Sequence, residues 1–181
     1  MKAKAEGKLP FGMDEETAAI FPDSFEDSEI GPVPAGWKLS SLGKIQFIKG
    51  KVPTVTESAQ KMPLVNMDYI NTGTALEIDA ENAVIVDSGE IIMLMDGENS
   101  GFVNQSPIQG ALGSTFAKIR VENNKKDFVY HLLLNNEDWI RRNTTGTGIP
   151  HVDKEIVRRI QFAIPPSNIL DKFNEIAQNS F

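Results

Sequence analysis

The sequence predicts a mixed α/β (α+β) fold, mainly antiparallel and strand-rich in its middle, with helices on either side. Three observations support this. Short alternating apolar runs separated by turn residues fill residues 63–121. The apolar period lengthens to the helical one from Lys126 onward. Proline- and glycine-rich punctuation brackets both regions, at 31–36 and at Pro165-Pro166.

Each element follows in order. Asp14 can cap the run EETAAIF, which Pro22 stops. EIGPVPAGW forms a turn-rich lead-in, after which Ser40 or Ser41 can cap a short helix carrying Leu42, Ile45 and Ile48. PLVNMDYI (63–70) alternates Val65, Met67 and Tyr69 against Asn66 and Asp68 and is expected to be a strand. Two apolar runs, Val84–Val86 and Ile91–Met95, are separated by DSGE and closed by DGENSG. That turn chemistry predicts an antiparallel meander. TFAKIRV (115–121) is a further alternating strand. DFVYHLLLNNEDWIRR is expected to be a helix with Phe128, Leu132 and Leu133 on one face, Trp139 and Ile140 farther on, and Arg141 and Arg142 at its dipole-favoured end. Trp37, Phe128 and Trp139 are assigned to the core. A short helix from Asp153, the strand IQFAI and a last helix capped by Ser167 complete the chain. That last helix places Leu170, Phe173 and Ile176 on its apolar side, a face expected to pack against another helix.

Composition narrows the function. The chain has 181 residues, 40% hydrophobic and 24% charged, which suits one globular domain with an appendage. With no cysteine there is no disulfide, thiolate metal site or cysteine nucleophile. No apolar run approaches the ~20 residues needed to span a bilayer, and the first residues lack a signal-peptide core, so a cytoplasmic protein with no membrane partner is expected. A net charge of −7 opposes nucleic-acid binding when spread evenly, but here the charges are segregated along the chain. Residues 13–29 hold seven carboxylates and no cation, and residues 62–117 hold eight carboxylates and no cation. Apart from Lys2, Lys4, Lys8 and Lys172, the cations fall into two zones. Lys38, Lys44, Lys49, Lys51 and Lys61 are opposed only by Glu57, and a second group runs from Lys118 to Arg159.

TTGTGIPHVDKE (144–155) is the most suggestive motif. A nucleotide phosphate loop needs GxxxxGK[ST] after a strand, and a dinucleotide fingerprint needs GxGxxG; the stretch satisfies neither. The only histidines, His131 and His151, lack metal-site spacing. A triad composed from Ser106 or Ser114 with His151 lacks a GxSxG elbow. Ile164-Pro165-Pro166-Ser167 lacks the polar acceptor and the aromatic ring of an amino-methyltransferase motif, so any methylation belongs to another chain. Hydroxyls, backbone N–H groups and arginines remain, and these are the usual donors to DNA phosphates.

In combination, LPFGMDEETAAIFPDSF, EIGPVPAGW, SGEIIMLMDGENSG, LGSTFAKIR, TTGTGIPHVDKE and IPPSNILDKFNEIA resemble the specificity subunit of type I restriction-modification enzymes. The resemblance covers nearly the whole chain. It implies one target recognition domain of the two such subunits carry, from the second half. The leader would be 1–36, the recognition domain 37–165, and 166–181 the start of a truncated coiled-coil-type helix. It further implies a non-catalytic reader of one half of a split double-stranded DNA target. Methyltransferase subunits, and through them a restriction subunit, would supply methylation and cleavage and carry S-adenosylmethionine, ATP and Mg. The helix would pack on the other half-subunit or a second copy.

Readout chemistry then selects candidates. Lys49, Lys51, Lys61, Lys118, Arg120, Arg141, Arg142, Thr144, Thr145 and His151 are expected at phosphates. Asn66, Asn71, Asn104, Gln105 and Gln109 are expected at bases, with Tyr69 stacking or packing. The rival readings are a stand-alone hydrolase using His151 with Asp153 or a nearby serine, and an acidic protein-interaction module.

Overall fold

A computed structural model describes residues 2–11, 13–52, 60–122 and 125–179. Glu57, Gly12 of the leader motif and the last two residues lie outside these. Two compact units emerge, one from 1–42 with 159–181, the other from Gly43–Arg158.

In the terminal unit a short helix α1 (Lys2–Ala5) precedes α2 (Glu15–Ala19). Asp14 caps α2 as expected, accepting from the Thr17 backbone N–H at 2.6 Å. That hydrogen bond holds the Asp14 carboxyl below its ordinary range. Strands β1 (Phe25–Glu26) and β2 (Val33–Pro34) pair antiparallel. Where a helix capped by Ser40 or Ser41 and carrying Leu42, Ile45 and Ile48 was expected, strand β3 (Lys38–Ser41) is followed by a turn at 42–45 and a strand over Gln46–Lys49. Gly43 lies in the first turn that helix would need and disfavours it by ~1 kcal/mol. The backbone instead forms a ladder with β12 (Gln161–Ile164), from Lys38↔Ile164 to Ser41↔Gln161. Strands assigned above to the recognition domain therefore join both ends of the chain in one unit. Helix α7 (Ser167–Asn179) begins at the expected serine. It buries Ile169 and Leu170, while Ile176 remains 50% exposed.

The larger unit holds two four-stranded sheets, ordered β6-β5-β10-β7 and β4-β11-β8-β9. Their strands are β4 (Gln46–Lys49), β5 (Lys61–Val65), β6 (Glu77–Asp79), β7 (Ile85–Val86), β8 (Ile91–Leu94), β9 (Val103–Gln105), β10 (Gly110–Leu112) and β11 (Phe116–Arg120). Among the described residues only β5 and β10 pair in parallel; the other ladders are antiparallel. The mixed, mainly antiparallel class is thus observed, but the meander is not. DSGE carries the chain from one sheet to the other, so β7 pairs β10 while β8 pairs β9 and β11. DGENSG does close a hairpin, between β8 and β9.

PLVNMDYI divides at Asn66. Its first half is β5 and its second half is α3 (Met67–Thr72), because the Asn66 side chain accepts from the Tyr69 N–H at 2.9 Å. Gly73 ends the helix at φ 70°. Replacing Asn66 with alanine is expected to lower stability by ~1 kcal/mol, as loss of an N-cap does. Replacement by aspartate should be nearly neutral, and urea unfolding of the two variants checks the pair.

The two sheets bury Val65, Val86, Ile92, Leu94, Leu112 and Phe116 together, with Met67 and Ile70 of α3 packed against them. The second sheet's free edge at β9 is closed by Glu137, whose carboxylate accepts from the Val103 N–H at 3.1 Å. The long helix expected over 127–142 is two helices, α4 (Lys126–Asn135) and α5 (Glu137–Arg142). They part at Asn136, whose side-chain amide donates to the Leu132 carbonyl. Val129, Leu133 and Ile140 are the buried positions, and Trp139, placed above in the core, is 45% exposed. Helix α6 (Lys154–Arg158) follows. Among the described residues no helix is long and apolar enough to cross a membrane.

Candidate nucleic-acid interface

Five strand termini meet at one end of the larger unit. Gly50, just after β4, donates to Phe116 O at 2.8 Å; Gly113, just after β10, donates to Val65 O at 2.9 Å; and Met95, just after β8, donates to Thr115 O at 2.8 Å. At Gly50 the approach is close enough to require glycine, since a Cβ would lie 2.2 Å from Gly113 O; one on Gly113 would be tight, 3.2 Å from Val65 O. Lys49, Lys51 and the start of α3 are therefore neighbours although far apart in sequence.

The 144–151 stretch is docked at the same end. Thr145 and His151 exchange backbone hydrogen bonds at 2.9 and 2.8 Å, and Thr145 Oγ1 lies 2.7 Å from His151 Nε2. Gly146 permits the closure with φ 103°, where a Cβ would come within 2.5 Å of Ile149 O. Two bonds hold this loop to the end of β8, Gly97 N to Pro150 O at 2.9 Å and Val152 N to Met95 O at 2.8 Å. The result is a closed loop exposing Thr147, Gly148 and Ile149.

The predicted residues sort by this geometry. Lys51, Arg142, Thr145 and His151 are exposed at the assembled end, and Asn71 is exposed in the last turn of α3. Arg142 makes only a long 3.6 Å contact to Asp138, with both side chains well exposed. Lys49 is there too, paired with Asp96 at 2.7 Å. Arg141 is engaged internally: it donates to Asn99 at 2.8 Å and to Glu137 at 3.3 Å, holding α5 against the β8–β9 turn. Thr144 donates to the Arg141 carbonyl, as a C-terminal helix contact. Asn66 accepts at the α3 cap, and Tyr69 is half-buried beside it.

Others lie elsewhere. Lys118 is largely buried between the sheets, donating to Ile85 O at 2.8 Å and pairing with Glu90 at 3.0 Å. Its amine, expected at a phosphate, is committed here to these two partners. Arg120 and Lys61 are exposed, but at the far ends of β11 and β5. Asn104 accepts from Gln105 N–H, and Gln109 donates to Asp87. Sequence reasoning missed Asp96 and Asn99, whose carboxylate and amide fix Lys49 and Arg141. The DGENSG turn that carries them gave only a turn signal.

The hydrolase geometry does not assemble. Asp153 accepts from Glu155 N–H at the start of α6, and the buried Ser106 donates to Ile108 O.

Comparison with known proteins identifies the family and the fold. A specificity subunit of the type I restriction enzyme MjaVIII from Methanocaldococcus jannaschii is 31% identical over 164 residues. That match covers 86% of this chain and 38% of the relative, so the chain spans well under half of the curated protein. The HsdS subunit from Thermoanaerobacter tengcongensis shares the fold at a TM-score of 0.56 and 16% identity, over 90% of this chain and 41% of that one. A chain from a structure on complex assembly and conformational transition of the type I R-M system does so at 0.59 and 15%, over 91% and 43%. Residues 34–178, most of the chain, match the family model described as the type I restriction modification DNA specificity domain, and the chain belongs to that family.

Proposed function

We propose that this chain reads one half of a bipartite double-stranded DNA target and performs no catalysis itself. Methylation and cleavage are then the work of methyltransferase and restriction subunits, which hold S-adenosylmethionine, ATP and Mg. The observation that carries this reading is the meeting of strand ends that puts exposed donors on one surface. Lys51, Arg142 and the Thr145–His151 loop can bind phosphate oxygens, while the exposed amide of Asn71, on the adjoining helix, is suited to a base edge. The acidic leader lies in the other unit, but the larger unit, with 12 cations and 15 carboxylates, is itself net −3, so the reading rests on the local donors and not on net charge.

Selection from a randomised duplex pool tests the proposal, with the chain alone and with methyltransferase subunits. A short enriched half-site is expected. Substituting Lys51 and Arg142 together with alanine should weaken all sequences alike and flatten the logarithmic salt dependence by about 2, one contact each. Asn71→Ala should relax one base pair, with a loss of discrimination of about 1–3 kcal/mol. Failure to find salt-dependent binding to any duplex, under either condition, would sink the reading.

A further inference from the structure

The assembled end continues into a second basic feature that no predicted contact includes. Val152, buried against Met95, leads directly from the 145–151 loop into α6. There Lys154 and Arg158, one helical turn apart, converge on a single aromatic ring of the edge strand β4. Lys154 Nζ lies 5.9 Å and Arg158 Cζ 5.7 Å from the centroid of Phe47. Two like charges at this spacing repel, and the negative face of the ring offsets that repulsion and holds both cations in place. Phe47 and Lys49 point to the same side of β4, two residues apart. The cations therefore form a row: Lys51, then Lys49, then Lys154 with Arg158. The carboxylates beside the row are already engaged. Asp96 pairs with Lys49, Glu155 with Arg158, and Asp153 accepts from the α6 backbone.

We infer that Phe47, Lys154 and Arg158 form a preorganised phosphate track that extends the DNA-binding surface from the reading end along the outer edge of the second sheet. This rests on the proposed DNA reading and adds a sequence-independent contact to it. Lys154 keeps its N–H groups for an anion, and Arg158, which gives one nitrogen to Glu155, keeps its remaining guanidinium donors, unlike Lys118, whose amine is consumed by a carbonyl and a carboxylate. The row also lies on an edge strand, where phosphates can approach without displacing a neighbouring strand.

Binding of the full chain to duplex DNA of random sequence, measured across salt concentrations, tests the track. Replacing both cations (Lys154→Gln with Arg158→Gln) should flatten the logarithmic salt dependence by about 2 while leaving the enriched half-site unchanged. The swap Lys154→Arg with Arg158→Lys keeps both charges and should keep the parental slope. Phe47→Leu should keep the slope too, yet weaken binding about two- to five-fold through loss of the ring contact. Circular dichroism melts confirm that each variant is folded. An unchanged slope in the double glutamine variant, with the parent still salt-dependent, overturns the track alone; it would leave an acidic polypeptide as the partner of these cations. A parent without salt-dependent binding overturns both the track and the DNA reading.

Discussion

Replacing Phe116 with alanine is expected to destabilise the larger unit by about 3–5 kcal/mol, the range for deleting a buried phenyl ring. Phe116 is fully buried at the start of β11, and its ring fills the space between the sheets with Val65, Val86, Ile92, Leu94 and Leu112. These neighbours come from β5, β7, β8 and β10, already held by ladders on their own sheets, so collapse around the vacancy is limited. Domains of this size have a total stability of roughly 5–15 kcal/mol, so the loss is a large fraction of it. The two tryptophans lie in different units, Trp37 in the terminal one and Trp139 in the larger. Urea unfolding of a Trp37→Phe background therefore reports the larger unit through Trp139. A midpoint that moves by less than the equivalent of about 1.5 kcal/mol would show that Phe116 is not at the centre of this core. Phe116→Leu should lose less than half as much, because most of the apolar volume stays.

The sequence made some of this core legible and concealed the rest for definite reasons. Val65, Val86, Ile92 and Leu94 fall in the predicted apolar runs, so which residues are buried followed from period and run length. Pairing did not follow. DSGE has hairpin chemistry, and Asp87 N does bond back to Glu90, but the next strand then enters the other sheet. A local turn signal fixes the chain's direction and says nothing of which distant strand supplies the ladder. The same limit explains residues 38–48, where Leu42 and Ile45 are buried as expected but in strands and turns. Their partners, β12 and β11, are 68 or more positions away. Asn66 and Asn136 show a second limit, since each interrupts an otherwise convincing periodic run through one side-chain hydrogen bond.

The site shows both limits at once. Residue chemistry selected Lys51, Arg142, Thr145 and His151, and the fold gathers them at one end. Chemistry alone could not separate Arg141 from Arg142, or Lys118 from Arg120, because each pair differs only in what folding places beside it. Asn99 engages Arg141, and Glu90 engages Lys118, from 42 and 28 positions away. The net charge of −7 is divided between the units, −4 in the terminal one and −3 in the larger one, so it says nothing of the few cations that the fold gathers at one end.

A single methyl group at Gly50 is expected to damage both fold and surface, with a stability loss of about 3 kcal/mol or more in Gly50→Ala, at the upper end of overpacking costs. The new Cβ would lie 2.2 Å from Gly113 O and 2.5 Å from Leu112 O. Both atoms are backbone, so no side chain can rotate away. Relief requires β4 to separate from the β10–β11 connection, which breaks the bond from Gly50 N to Phe116 O. The same shift displaces Lys49 and Lys51, which flank Gly50, so DNA affinity should fall even under conditions where the variant remains folded. Gly148→Ala serves as the control, because nothing lies within 4 Å of a Cβ there. It should stay within about 0.5 kcal/mol of the parent, as ordinary surface substitutions do. Urea unfolding followed through Trp139 gives both numbers. A Gly50→Ala midpoint as close to the parent as that of Gly148→Ala would mean that the strand ends do not meet as tightly as the structure places them.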